Sequence, residues 1–253
     1  MDERSIQTGG TEHLPPPAAV AGGAAGRGQL DDPRALTILT TEHWSLLSAR
    51  SLVYNEAFAR TGMFLTFLSA SLVALALASQ GMGFDRDFLL LAAVILGFDL
   101  VIGFATLGRV GAASSEDLRC ILGMNRLRNA YLEIAPELEP YFITSKHDDL
   151  LGIVSTYGEA SDDEPSVVVN FLHGLTTAEG MVAMITTIIA AILGSVVALL
   201  IGAEPNVALG AGLGTFTAVL IVMSAVTYRA YLQFGARLKP RFPTPPVDRG
   251  AAR

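Results

Sequence analysis

Gly62–Gln80 (GMFLTFLSASLVALALASQ) and Phe88–Leu107 (FLLLAAVILGFDLVIGFATL) are apolar runs separated by the seven residues Gly81–Asp87 (GMGFDRD). A helix rises roughly 1.5 Å per residue, so about 20 apolar residues cross the ~30 Å hydrocarbon core of a bilayer, and each run is about that long. The connector carries charge and two glycines, which predicts a tight turn in water. Two further apolar runs, Met181–Gly202 and Val207–Thr227, are joined by AEPN at Ala203–Asn206. The pattern predicts an all-α membrane protein with four transmembrane helices arranged as two tight hairpins, 62–107 and 181–227. A helical cytoplasmic module completes the expected plan.

Composition agrees. Hydrophobic residues make up 51% of the 253 and charged residues only 16%, against about 25% charged in soluble domains. The first 40 residues hold no charged region followed by an apolar one, so no cleavable signal is expected. The single cysteine, Cys120, excludes an intrachain disulfide and reads as a small buried hydrophobe.

Orientation follows from the basic residues. Of seventeen Lys and Arg, only Arg86 lies in a short connector; the other sixteen fall before the first run, between runs two and three, or after run four. The positive-inside rule assigns those three regions to the cytoplasm, with both termini inside.

Residues 1–40 read as a disordered tail, because twelve of the fourteen residues Pro15–Gly28 are Pro, Ala or Gly and offer little to bury. Residues 41–60 (TEHWSLLSARSLVYNEAFAR) read as a cytoplasmic helix capped by Thr41 that feeds span one without a break. Its face is set by Leu47, Tyr54 and Phe58, and it packs on the central module rather than lying on lipid with Trp44 and Arg50 at the headgroups. Residues 108–180 form the cytoplasmic loop. Ser114-Ser115-Glu116-Asp117 predicts a helix start, Pro136 a stop, and Ser145-Lys146-His147-Asp148 a second start running to about Tyr157. Gly158–Ser166 is an acidic turn-rich loop, and from Val167 a helix is expected to enter span three continuously. The loop carries twelve acids against five bases, whereas the basic, Pro-containing tail 228–253 carries six bases against one acid. Such a tail suits an anionic inner leaflet. Basic residues are not interleaved with aromatics on a face, so nucleic acid is not an expected partner.

Three groups could carry chemistry. Asp99 lies mid-span, where a carboxylate costs about 2.5–3.5 kcal/mol unless neutralised or partnered. Ser69 and Ser71 of the first run fall at a similar depth and complete a possible intramembrane polar site. Gly103 and Thr106 share the Asp99 face, which predicts a helix–helix contact; a proton- or ion-coupled role is the alternative. His147-Asp148-Asp149 could bind a divalent cation, but the spacing is not that of a metal-binding helix or a paired short motif, and no metal is expected. Asn125, Arg126, Arg128, Asn129 and Tyr131 could meet an anionic headgroup or nucleotide, against the simpler reading of a solvated face bridged to the acidic loop. Small residues recur in steps of four at Thr186, Ala190, Gly194, Ala198 and Gly202, and again at Gly210, Gly214 and Ala218. Close helix packing, within the chain or between copies, is the use such stripes have in lipid.

Arg50–Leu77 (RSLVYNEAFARTGMFLTFLSASLVALAL) and Met124–Asp149, with its MNRLRNAYLEIAPELEPYF and SKHDD segments, resemble a group of bacterial four-helix integral membrane proteins to which no activity is assigned. The resemblance implies a bacterial inner-membrane location and carries no functional residues with it.

No phosphate loop, zinc signature, nucleophile elbow or kinase motif occurs, so neither catalytic residues nor a cofactor are expected. The leading expectation is an oligomeric scaffold or sensor, anchored in the lipid bilayer, that meets a cytoplasmic protein partner. A small oligomeric pore or ion-coupled carrier using Asp99 comes second. An enzyme acting on inner-leaflet lipid comes third, with Asn55, Glu56 and Arg60 beside Arg109 as its only polar cluster.

Overall fold

A computed structural model describes residue 30 and residues 32–157 and 177–245. Among these the chain is all-helical, with no strand. Helix α1 spans Ala35–Met82 and α2 spans Arg86–Ile134; a 3-10 helix follows at Pro136–Tyr141, then α3 at Leu150–Thr156, α4 at Ala178–Leu200 and α5 at Pro205–Arg237. Four of them, α1, α2, α4 and α5, are long and apolar enough to cross a membrane, which suggests a multi-pass membrane protein.

Chain order is spatial order. Helix α2 packs between α1 and α4, and α4 packs between α2 and α5. Cross-helix pairs fix the sense of α1 against α2: Ser71 meets Asp99, Arg50 meets Asp117, and Leu46 faces Gly123. As one number falls the other rises, so the two run antiparallel. Gly103 facing Thr186 and Gly111 facing Glu179 show the same for α2 and α4.

The buried positions of α2 explain its place. Ala92, Leu96, Asp99, Gly103, Thr106, Val110, Ala113, Asp117, Cys120, Met124 and Leu127 alternate steps of four and three. A period of 3.5 keeps one seam of a long helix turned to its neighbours, as in a coiled coil. The seam runs without interruption from the apolar stretch into the polar one. Phe64, Leu96, Val182 and Ile189 form the core in the apolar half; Ile121, Met124 and Ile153 form it at the far end, with Phe234 and Leu238 packed against them.

Several boundaries differ from the sequence reading. Helix α1 starts at Ala35, so residues 35–40 are helical and Thr41 is interior, its hydroxyl donating to Thr37 O at 2.8 Å. Its packed face carries Leu46, Arg50, Val53 and Ala57, while Leu47 and Phe58 point outward with Trp44. The small Ala57 lies inside, packed with Val110 and Ala113. No helix begins at Ser114: α2 passes straight through, and the Ser114 and Ser115 hydroxyls fold back onto Val110 O and Gly111 O. Helix α3 begins four residues later than expected, capped by Asp149, whose side chain accepts from Gly152 N. Helix α4 begins at Ala178 with Thr177 as its extended cap, so the helix expected from Val167 does not run through residue 177; the rest of that expectation and the acidic loop 158–166 lie outside the described residues. Nor is residue 228 the start of a tail, since α5 continues to Arg237.

Candidate functional site

Asp99 is 2% exposed, deep between α1 and α2. Ser71 Oγ donates to Asp99 Oδ1 at 2.9 Å, while Oδ2 is buried with no partner among the described residues. Ser69 is not part of this site. It is exposed, and its hydroxyl donates to Leu65 O of its own helix. One turn along α2, Gly103 allows the backbone to approach α4: an added Cβ would lie 2.7 Å from Thr186 Oγ1 and 3.3 Å from Phe64. Asp99 is thus a polar pin in a close-packed seam.

The small-residue stripes divide. Gly194 meets Thr215 of α5, and Ala190 and Ala198 are buried. On α5, however, it is Gly212 that faces α4, where a Cβ would fall 2.1 Å from Ser195 Oγ and 3.0 Å from Ala191 O. Gly210, Gly214 and Ala218 lie on the exposed side, and among the described residues neither glycine has anything within 4 Å of an added Cβ. Gly202 serves differently: its φ of +88° ends the chain's exit from α4 in a conformation that favours glycine.

Where the apolar stretches end, Arg109 donates to both oxygens of Glu56, at 2.9 and 2.6 Å, and to Glu116 at 3.3 Å; Arg60 donates to Glu56 at 3.0 Å. The Arg109 hydrogen bond first, and then that of Arg60, holds the Glu56 carboxyl down at about 2. In the cluster named for a lipid-acting enzyme, Glu56 is thus ion-paired with both Arg109 and Arg60.

Further along, Asp117 gathers three side chains. It is 3% exposed and accepts from Arg50 Nε at 2.5 Å, Tyr54 OH at 2.9 Å and Tyr157 OH at 2.5 Å. The Arg50 guanidinium also lies over the Tyr54 and Tyr157 rings, 5.6 and 6.0 Å from their centroids. Burial, then the Asp117 charge it bonds, pushes the Tyr157 phenol well above its ordinary range. Because Tyr157 closes α3, this network ties the short helix to the α1–α2 pair. Local sequence places Asp117 in the first turn of a helix starting at Ser114, which the structure does not show. The unbroken four–three repeat from Ala92 to Leu127 is the signal that would have placed it inside.

His147-Asp148-Asp149 has a structural use. Asp148 is 0% exposed and accepts from Arg241 N at 2.9 Å, Phe242 N at 2.7 Å and Arg126 Nε at 2.7 Å. Its own backbone N–H donates to Phe242 O at 3.2 Å. Asp149 accepts from Thr244 N and Thr244 Oγ1, both at 2.9 Å, besides capping α3. These backbone hydrogen bonds, joined at Asp148 by the Arg126 guanidinium, outweigh burial and keep both carboxyls below their ordinary range. Their oxygens take backbone N–H groups of the segment 241–244, and among the described residues no group of three His, Cys, Asp or Glu is placed to hold a metal. The segment 241–244, expected to be part of a basic tail lying against the inner leaflet, is the strap they clamp.

The five-residue polar group on α2 separates in the same way. Arg126 goes to Asp148 and to Lys239 O, whereas Arg128 donates to Asn125 Oδ1 at 2.6 Å. Asn125 in turn donates to His147 O and Gly152 O.

No family model, no curated protein and no solved structure matches the chain.

Proposed function

We propose that this chain is a membrane-anchored scaffold: two transmembrane hairpins hold a helical module in the cytoplasm, in the inner membrane of a bacterium, with both termini on the cytoplasmic side. The observation that carries the reading is the length of the first two helices. At 48 and 49 residues they extend roughly 70 Å each, more than twice the ~30 Å hydrocarbon core. Their excess forms one paired rod, closed by α3, by the Asp117 network and by the strap from α5. A rod so closed presents a fixed surface, including the outward Leu47, Phe58 and Trp44, to a cytoplasmic protein. Self-association is supported by the exposed Gly210–Gly214–Ala218 side of α5, where an added Cβ at either glycine would meet nothing within 4 Å among the described residues.

Topology is tested by fusing a reporter active only in the cytoplasm after Gly83, Ala160 and Pro205. Signal is expected at Ala160 alone, and signal at either of the others overturns the arrangement. Cross-linking in native membranes tests self-association. A ladder weakened by Gly214→Ile is expected, and monomer throughout removes the oligomer from the proposal.

A second reading, an ion-coupled path, draws on the lone Oδ2 of Asp99. Proton or cation flux into liposomes, wild type against Asp99→Asn, decides it. Flux lost in the variant would place conduction ahead of scaffolding; absent or indifferent flux leaves Asp99 as a packing residue.

A further inference from the structure

Arg128 lies 21 residues beyond Leu107 on the same unbroken helix, hence about 30 Å past the apolar stretch. It is half-buried, yet no carboxylate pairs with it among the described residues, whereas Arg50, Arg109 and Arg126 each have one. Its one side-chain hydrogen bond goes to Asn125 Oδ1. Asn125 cannot swing away: it is 0% exposed, and its amide nitrogen is held by His147 O at 2.8 Å and Gly152 O at 3.2 Å. One edge of the guanidinium is therefore fixed, and its other nitrogens have no protein acceptor among the described residues.

Helix α1 brings a second group to the same place. The register that pairs Arg50 with Asp117 and Leu46 with Gly123 sets His43 opposite positions 125–126 of α2. Its ring lies 6.0 Å from that of Tyr131, and its Nδ1 is buried with no partner among the described residues. Burial, then the nearby Arg128 charge, holds the imidazole below its ordinary range. Burial, then the Arg50 charge, does the same to Arg128. Its unbonded nitrogens are not among the buried atoms that lack partners, so they stay open to a ligand, and a partly desolvated cation with no counter-ion among the described residues gains from one that brings the missing charge.

We propose that Arg128 and His43, positioned by Asn125, form the binding floor of a site for a soluble oxyanion, a phosphate group above all, at the α1–α2 seam. A planar guanidinium fork matches two phosphate oxygens, and an imidazole N–H supplies a third donor. Position selects the source. Lipid headgroups lie at the end of the apolar stretch, near Arg109, about 28 Å short of Arg128 by helix rise, so a dissolved phosphate compound is the ligand. The reading goes beyond scaffolding, because it gives the module a small-molecule signal.

The test uses the full chain in neutral detergent, with inorganic phosphate and ATP as probes and chloride at matched ionic strength as the reference. Each probe is expected to raise the Tm of wild type, and equally that of Arg34→Ala, an exposed arginine at the start of α1; a ligand binding only the folded state acts this way. In Arg128→Ala the rise is expected to vanish, with affinity by calorimetry down roughly tenfold or more. No rise above chloride, or an equal rise in Arg128→Ala, overturns the site. Should the alanine variant fail to fold, Arg128→Lys keeps the charge and loses the fork: a several-fold weaker affinity is expected, and unchanged affinity overturns the proposal. Nanodiscs of phosphatidylglycerol against phosphatidylcholine form the last arm. Stabilisation dependent on Arg128 that follows the anionic lipid and not free phosphate overturns the soluble ligand.

Discussion

Removing the Asp117 carboxylate is the perturbation that reaches furthest into the module. It leaves Arg50, Tyr54 and Tyr157 without their common acceptor at one stroke. Breaking a buried ion pair by deleting one partner costs about 3–5 kcal/mol. The Arg50 side chain is 27% exposed against 4% for Asp117, so water recovers part of the loss and the lower end applies, about 3 kcal/mol. For a chain of this size each kcal/mol shifts Tm by about 2–4 °C, so Asp117→Ala is expected to melt roughly 6–12 °C lower. Asp117→Asn keeps one acceptor oxygen but not the charge, so it should lose less than Asp117→Ala yet still melt below wild type. Replacing both charges, as in Arg50→Met with Asp117→Leu, removes the stranded guanidinium and fills the space with apolar atoms. Such exchanges are often neutral, so the double variant should melt above Asp117→Ala. The assay is thermal unfolding of the full chain in detergent, run as a double-mutant cycle. Additive effects of the two sites, or an alanine variant melting with wild type, would refute the buried-pair reasoning.

Three further changes test other parts of the fold. Gly152→Ala would place a Cβ 2.2 Å from His147 O, a backbone atom that cannot step aside; a loss of about 1–3 kcal/mol and easier proteolysis near Tyr157 are expected, and a wild-type melting curve would count against the turn. Glu56, held at about 2, adds stability that is fully present above its unfolded value of about 4.3 and is lost as pH falls toward 2. Glu56→Gln should therefore show a shallower decline of Tm over that acid window, and identical profiles would remove the Arg109 cluster from the account. Gly212→Ala should destabilise by pushing α4 from α5, whereas Gly214→Ala, with nothing near its Cβ, should leave the melting of the single chain unchanged; equal effects would contradict the assigned faces.

The four apolar helices were legible because hydrophobic runs of that length have few other uses. The pin Ser71–Asp99 was legible too, since a lone acid mid-span needs a partner at its own depth. What escaped was polar structure whose partners are distant in sequence. Asp117 lies 67 residues from Arg50 and 40 from Tyr157, and Asp148 lies 93 from Arg241. No local pattern at Ser114–Asp117 tells a helix start from a helix interior, because acids and serines suit both settings. Likewise His147-Asp148-Asp149 offers the same atoms to a metal as to backbone N–H groups. The backbone N–H groups that these carboxylates meet come from Arg241–Thr244, far along the chain.

The two buried acids of α2 also constrain how the molecule can move. Asp99 and Asp117 occupy the same seam 18 residues apart, and each bonds a side chain of α1. In an apolar seam of period 3.5, a slip of seven residues would restore most packing contacts and cost little. Here it would strand both carboxylates together, with Ser71 carried about 10 Å from Asp99 and Arg50 as far from Asp117. The α1–α2 pair therefore transmits displacement as a rigid rod rather than by sliding. Motion linking the polar and apolar ends of the pair is then tilt of the pair as a unit, or displacement of α4 and α5, whose following strap meets Asp148.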